Sequence, residues 1–362
     1  MAVDYFSNAL SARNNPACDV VPVTYSVSKT QLDEARGRVA GVSCWVLTDG
    51  KAGDEAQCLG VAECLGLAPA NRRVNPRAPF VWAMPWGPID PAEAPARPGS
   101  PIAPPFPGIL IASGRRAVAY VRRIKHSSNN QTLAVILKDP RTGSSAADLI
   151  WVPEHDKLRG PNVITTLTSP HRISPEKLSG AKNITPTWHV RDKTIAGVLL
   201  GGDSQHHSFS DADTSRLVQQ LTAVAASGAK LVVTPSRRTP RELAKTIKTL
   251  CAATNGFFWD GTDENPYLSI LAHADHIITT EDSVNMLGEA AATGKPIHLF
   301  SPSGGHTKIS SFVSGLSEHG AVRTLSNTLD TWSYPPIDAT SVIAVAVAQA
   351  YETLQSRITT SL

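Results

Sequence analysis

Thr280, Asp282 and Ser283 sit at a turn between an apolar run, Ile277–Thr280, and a short helical pattern that carries Glu289 and ends at Gly294. Backbone N–H groups at a helix start are unpaired and carry partial positive charge, so such a turn suits a phosphate. A carboxylate at position 289, farther along the helix, suits a ribose hydroxyl. Together these residues predict the donor half of a nucleotide-sugar site. The competing reading is a plain βαβ unit in which Thr280 or Asp282 only caps the helix.

Ligands of open α/β sheets bind beyond the carboxyl ends of the strands. In the second half of the chain those ends carry Gly201, Gly202, Asp203, Ser204, Ser236, Arg237 and Arg238. Paired glycines let a backbone approach a diphosphate, although a tight turn would use them equally well. Arg237 and Arg238 offer planar forks for phosphate, or else form a solvated charged pair. In the first half the corresponding residues are Asp49, Lys51, Asp54, Ser113, Arg115, Arg116, Lys138, Asp139, Arg141, His155 and Asp156. Asp54 and His155 are the candidate proton acceptors for an attacking hydroxyl. Asp54 could equally cap the helix that follows it. Asp49, Lys51, Ser113, Arg115, Arg116, Lys138, Asp139 and Arg141 form the expected acceptor side.

The elements that must hold these residues alternate between strand and helix. Apolar runs at 44–47, 108–112, 133–137 and 149–152 are followed by polar turns, and the first two lead on into helical patterns. A second cycle begins at Ile195–Leu200 and continues through 230–233, 257–259 and 277–280. This predicts an α/β protein of two Rossmann-like domains with parallel sheets facing a central cleft. The expected boundaries are a flexible extension at 1–40, an N-terminal domain at 41–190, a C-terminal domain at 191–335 and a closing helix at 336–362. The Pro- and Trp-rich stretch 69–107 reads as a long irregular loop of the functional kind.

The 362 residues are 41% hydrophobic and 18% charged, the balance of a globular protein with a real core. A net charge of +3 is too small to indicate a nucleic-acid carrier. Five cysteines without a CxxC pair indicate reduced thiols and a cytosolic setting. No run is apolar enough to span a bilayer, and no secretory signal opens the sequence. The absence of GxGxxG and Walker A patterns argues against a bound dinucleotide and against ATP hydrolysis. His206 and His207 are adjacent and make a poor metal pair, so no metal and no cofactor are expected.

In order along the chain, Thr48–Gly53, Ser113–Arg116, Lys138–Arg141, Val152–Asp156, Gly160–Asn162, Gly201–Ser204, Ser236–Pro240, Gly261–Tyr267 and Asp282–Val284 with Glu289–Pro296 resemble the mitochondrial fission family, first recognised in plants as the elongated-mitochondria factor. The resemblance covers about residues 42–335. It implies a glycosyltransferase-B-like fold and enzyme-like bacterial members of unsettled substrate. Joined to the donor-site residues above, it gives the expectation that a nucleotide-diphosphate sugar is bound and its sugar transferred, without a metal, to an acceptor hydroxyl. It also implies that plant members recruit a dynamin-related protein to mitochondria. The Pro- and Trp-rich loop with the basic segment Arg115–Lys125 supports the alternative of a non-catalytic adaptor for that or another protein partner at an anionic membrane surface. Cell-wall transferases of similar fold carry a His in the first glycine-rich loop, where this sequence has Asp54. Asn285 and Gly288 replace the serines usual in bacterial members.

Overall fold

The computed structural model describes residues 25–360. The chain divides into two compact units, one running to Thr166 and resuming at Ala339, the other Leu167–Asp338. The sequence-based boundary near residue 190 thus differs from the observed division. The segment after Thr166 contains the helix Pro175–Lys182, which packs on the helix Tyr267–His273 of the second unit. The helix Ala339–Thr360, expected to stand apart, packs on the helices Lys29–Arg38 and Ala52–Cys64 of the first unit. Part of the expected flexible extension is that first helix. Ser28 accepts from the Gln31 amide at 3.2 Å while Gln31 Oε1 accepts from the Ser28 amide at 2.9 Å, a closed capping box. The rest of the expected extension, residues 1–24, lies outside the described residues.

The first unit holds a six-stranded parallel sheet. Its strands are β1 (Cys44–Thr48), β2 (Ala70–Arg73), β3 (Ile109–Ser113), β4 (Leu133–Leu137), β5 (Leu149–Pro153) and β6 (Val163–Thr166), in the order β2-β1-β3-β4-β5-β6. Four of them are buried on both faces, which explains their unbroken apolar runs. Side chains alternate along each strand, so Val46, Ile109, Ile111, Val135 and Trp151 fill one core with the terminal helix. Leu47, Leu110, Ala112, Ile136 and Val152 fill the other, against the helix Ala117–Ser127.

The stretch 69–107 is more ordered than a loop. It contributes β2 at the sheet edge, a short helix at Phe80–Ala83, and two side chains, Met84 and Ile102, that are fully buried. Asp90 fastens it. Its carboxylate accepts from the Arg77 amide at 3.0 Å, from Arg77 Nε and Nη2 at 2.8 Å each, and from the Ala92 amide at 2.9 Å. These donors hold the carboxyl far below its ordinary range, the Arg77 side chain contributing most. No periodicity could have shown this anchoring, because it rests on one carboxylate satisfying a turn.

The second unit also holds a six-stranded parallel sheet. Its strands are β7 (Ile195–Leu200), β9 (Lys230–Pro235), β10 (Phe257–Phe258), β11 (His276–Thr280), β12 (Ile297–Phe300) and β14 (Val322–Thr324). The order is β10-β9-β7-β11-β12-β14, and a two-stranded ribbon of β8 (His207–Ser208) and β13 (Ser303–Gly304) stands beside it. Counted within this sheet, the order is that of the Rossmann fold, with the direction of winding reversing between β7 and β11. Among the described residues no helix is long and apolar enough to cross a membrane.

Two histidines of β11 and β12 face each other inside this unit. His276 Nδ1 lies 3.2 Å from His298 Nε2, both rings are buried, and Trp332 meets His298 edge-on at 5.0 Å. Burial pushes His298 down to about 4 and lowers His276 as well. Both rings are therefore folded in their neutral form. Their contribution is complete above the ordinary value of 6.5 and is lost as pH falls from there through about 4. The melting temperature should drop over that interval in a pH series followed by circular dichroism, and drop less in His298→Phe.

Candidate functional site

The most constrained polar cluster lies in the second unit, at the carboxyl ends of β7, β9 and β11. β7 runs straight into Gly201 and Gly202, β9 into Ser236–Thr239, and β11 into Glu281–Ser283 ahead of the helix Val284–Ala291. Asp282 is 7% exposed and sits where the three turns meet. Its Oδ2 accepts from the Gly202 amide at 2.9 Å and from Arg238 Nη2 at 3.0 Å, while Oδ1 accepts from Thr280 Oγ1 at 2.6 Å. Thr280 Oγ1 in turn accepts from the Gly201 amide at 2.8 Å.

This cluster explains the paired glycines. A Cβ on Gly201 would lie 2.2 Å from Asp282 Oδ1, and one on Gly202 would lie 2.0 Å from the Arg238 carbonyl oxygen. Neither position has room for a side chain. The amides are also committed. Besides the two glycines, the Asp203 amide donates to the Arg238 carbonyl at 3.2 Å and the Ser204 amide to the His207 carbonyl at 2.9 Å. The diphosphate-binding role expected for Gly201, Gly202, Asp203 and Ser204 therefore does not fall on their N–H groups, which hold the loop itself. Arg238 is likewise drawn into the cluster, reaching the carbonyl of Asp203 at 3.2 Å as well as Asp282. The Asp282 side chain is turned back toward β7 and does not cap the helix, and Ser283 provides no side-chain cap.

What remains open to a ligand is a smaller set. Arg237 is exposed and makes no hydrogen bond or ion pair among the described residues. The Ser283 amide donates to the Thr280 carbonyl at 3.4 Å, but the Ser283 hydroxyl and the uncapped first turn of the helix Val284–Ala291 keep their donors. Glu289, on the same helix, accepts from the Tyr267 hydroxyl through Oε2, while Oε1 carries no hydrogen bond among the described residues. Burial raises the Glu289 carboxyl above its ordinary value, and the bond from Tyr267 opposes that rise. Tyr267 had no assigned role in the sequence. Its signal was the polar run Asp260–Pro266, which ends where Asn265 Oδ1 accepts from the Tyr267 amide at 3.0 Å and starts the helix.

The first unit has a counterpart where its own sheet reverses, between β1 and β3. Asp49, Gly50, Lys51, Val81, Trp82, Arg115 and Arg116 line a cavity of about 560 Å³ there. Gly114, at φ 98°, lets both carboxylates close in: its missing Cβ would lie 3.3 Å from Asp49 Oδ1 and 3.4 Å from Asp54 Oδ2. Four expected acceptor-side residues, Asp49, Lys51, Arg115 and Arg116, are thus brought together. Ser113 is not free for a ligand, since its hydroxyl donates to the Leu137 carbonyl at 2.8 Å and ties β3 to β4. Asp139 and Arg141 shape a turn, the Arg141 amide donating to Asp139 Oδ1 at 2.7 Å. They do not line the cavity.

Asp54, expected as a base, is buried and paired to Lys138 Nζ. That ammonium holds its Oδ1. Lys138 itself adopts φ 104°, a conformation that a residue with a Cβ takes only when its surroundings enforce it. The bond from its amide to the Trp151 carbonyl at 2.7 Å does so. His155 lies half-buried in the turn after β5 and does not line the cavity. Among the described residues no group of His, Cys, Asp and Glu could hold a metal ion.

Two units of parallel sheet, each with its polar residues gathered where the winding reverses, define an α/β protein of two Rossmann-like units. The sequence places it further. A model of the family described as mitochondrial fission ELM1 matches residues 52–351, and the chain belongs to that family. It is 26% identical over 272 residues to the mitochondrial fission protein ELM1 of Arabidopsis thaliana, an alignment covering 67% of this chain and 63% of the plant protein. It is also 26% identical over 277 residues to the uncharacterized protein RP120 of Rickettsia prowazekii, covering 66% of this chain and 78% of that one. Among solved structures, the complex of S. aureus MnaA with UDP aligns at a TM-score of 0.48 and 12% identity, over 86% of this chain and 88% of that one.

The interlocked cluster makes a direct prediction. Gly202→Ala should destabilise the second unit by about 3 kcal/mol, the upper end of the cost of overpacking, because backbone and not a mobile side chain blocks the added methyl. Chemical denaturation followed by tryptophan fluorescence would measure it. Gly305→Ala, with nothing within 4 Å of its Cβ, measures the cost of a positive-φ glycine without a clash.

Proposed function

We propose that the second unit binds a nucleotide-diphosphate sugar at the turn between β11 and the helix Val284–Ala291, and that the protein transfers the sugar to an acceptor hydroxyl. The observation that carries this reading is the combination, on one helix, of an uncapped first turn beside Ser283 with a half-buried Glu289 farther along. The open N–H groups suit the diphosphate, and Glu289 suits a ribose hydroxyl. Both lie where a sheet of this winding order receives its ligand. Exposed Arg237 extends from the neighbouring turn with its charge unspent. Tyr267 holds one oxygen of Glu289, leaving the other to accept from the ribose.

In this scheme the acceptor hydroxyl attacks the anomeric carbon, that carbon's bond to the diphosphate oxygen breaks, the nucleoside diphosphate leaves with the electron pair, and the hydroxyl's proton passes to solvent. Negative charge grows on the leaving phosphate. Arg237 and the helix N-terminus would stabilise that charge, the usual largest contribution to such a step. The first-unit residues Asp49, Lys51, Arg115 and Arg116 would hold the acceptor.

A thermal-shift series with UDP, GDP, ADP and CMP tests the binding half. One nucleotide should raise the melting temperature in the wild type and fail to do so in Glu289→Ala. Arg237→Ala should weaken the same nucleotide by about tenfold, the worth of one charge-assisted contact, with the unliganded melting temperature unchanged. No shift with any nucleotide at saturating concentration would reject the site.

A further inference from the structure

The cavity of the first unit has a composition of its own. Arg116 is half-buried, begins the helix Ala117–Ser127, and makes no hydrogen bond or ion pair among the described residues. A guanidinium keeps its charge under all ordinary conditions, so a half-buried one without a partner is set to receive an anion. The helix start beside it points further N–H groups and the positive end of the dipole the same way. Arg115 adds its charge, although its Nε is committed to the Met84 carbonyl at 2.7 Å. Lys51 is mostly exposed and pairs loosely with Asp49 Oδ2 at 3.4 Å.

Two features on the lining do not suit a bare anion. The Asp49 side chain is only 4% exposed, and its Oδ1 has no hydrogen-bond partner. A buried carboxylate oxygen left without a donor is costly, and a ligand hydroxyl would remove that cost. Trp82 is 74% exposed on the same lining, with Val81 next to it. An indole face left to water in this way suits the C–H face of a pyranose or cyclitol ring.

We infer that this cavity binds a phosphorylated sugar or cyclitol, with the phosphate on Arg116 and the helix N-terminus, a ring hydroxyl donating to Asp49, and the ring face on Trp82. The volume of about 560 Å³ accommodates a ligand of that size. The assignment stands on the first unit alone. Only the further step, that this ligand is the acceptor, rests on the transfer reading above. The same chemistry is offered by a free sugar phosphate and by the headgroup of phosphatidylinositol.

The test is a tryptophan-fluorescence titration of the full chain with glucose 6-phosphate, glucose and inorganic phosphate. A parallel arm measures co-sedimentation with phosphatidylcholine vesicles containing either phosphatidylinositol or phosphatidylserine. Glucose 6-phosphate should bind about tenfold more tightly than glucose or phosphate alone, since each of these lacks half of the contacts. Arg116→Ala should weaken it by a similar factor. Asp49→Asn should weaken glucose 6-phosphate and leave inorganic phosphate unchanged, which a general loss of folding would not do. Trp82→Phe should abolish most of the fluorescence change while retaining binding measured by calorimetry.

Sedimentation with phosphatidylinositol but not phosphatidylserine vesicles, lost in Arg116→Ala, would support the same site with a lipid source. Equal affinity for glucose 6-phosphate and phosphate, insensitive to Asp49→Asn, would overturn the proposal in favour of a bare anion site. Absence of binding in both arms, or equal sedimentation with the two acidic lipids, would overturn it as well. Glu289→Ala, which removes the nucleotide response, should leave every one of these values unchanged, so failure of one reading is separable from failure of the other.

Discussion

The carboxylate of Asp282 locks together the turns that follow three adjacent strands. It accepts from an amide of the turn after β7, from a guanidinium of the turn after β9, and from a hydroxyl at the end of its own strand. A buried charge is tolerable only when its neighbours satisfy it, and here all three donors come from within the cluster. The requirement runs in both directions. Asp282 needs the Gly202 amide, and that amide can approach only because residues 201 and 202 lack side chains. The geometry of the helix start at Val284, and so the positions of Ser283 and Glu289, follows from where this carboxylate is held.

The first unit solves a similar problem with different chemistry. There a glycine after β3, Gly114, admits the carboxylates of Asp49 and Asp54. Asp54 is neutralised by a lysine from the turn after β4. Asp49 is not neutralised to the same degree, because its lysine is mostly exposed and 3.4 Å away. The second unit's carboxylate is thus spent on structure, whereas the first unit retains one with an oxygen to spare. This difference directs attention to Asp49 as a ligand-contacting group and to Asp54 as part of the frame.

The architecture was legible because strands buried on both faces leave unbroken apolar runs, as at Ile109–Ala112 and Leu133–Leu137. The residues beyond those runs could be named but not assigned. Gly201 and Gly202 look alike whether they cradle a phosphate or make way for Asp282, and only the crowding around their Cα atoms separates the two. Ser113 reads as a ligand-facing hydroxyl until its bond to the Leu137 carbonyl is seen. Tyr267 and Trp82 lay in stretches the sequence marked, but their own roles could not be read from it. Their importance depends on a partner 22 residues away in one case and on a cavity wall in the other. The edge strand β2 was missed because Ala70–Arg73 is polar and mostly exposed, with none of the alternation that marks a half-buried strand.

The helix Ala339–Thr360 completes the core of the first unit, with Ile343, Ala344, Val347 and Ala348 fully buried in it. The whole of Leu167–Asp338 is therefore an insertion between two parts of one folding unit. During synthesis the ribosome delivers the second unit entire before it delivers the helix that closes the first. The second unit is then able to finish folding as a contiguous segment, while the first waits with the part of one sheet face over β4 and β5 uncovered. That exposed part, rich in Leu and Val, is the surface a chaperone would meet on the nascent chain. The order of assembly thus runs opposite to the order of the sequence.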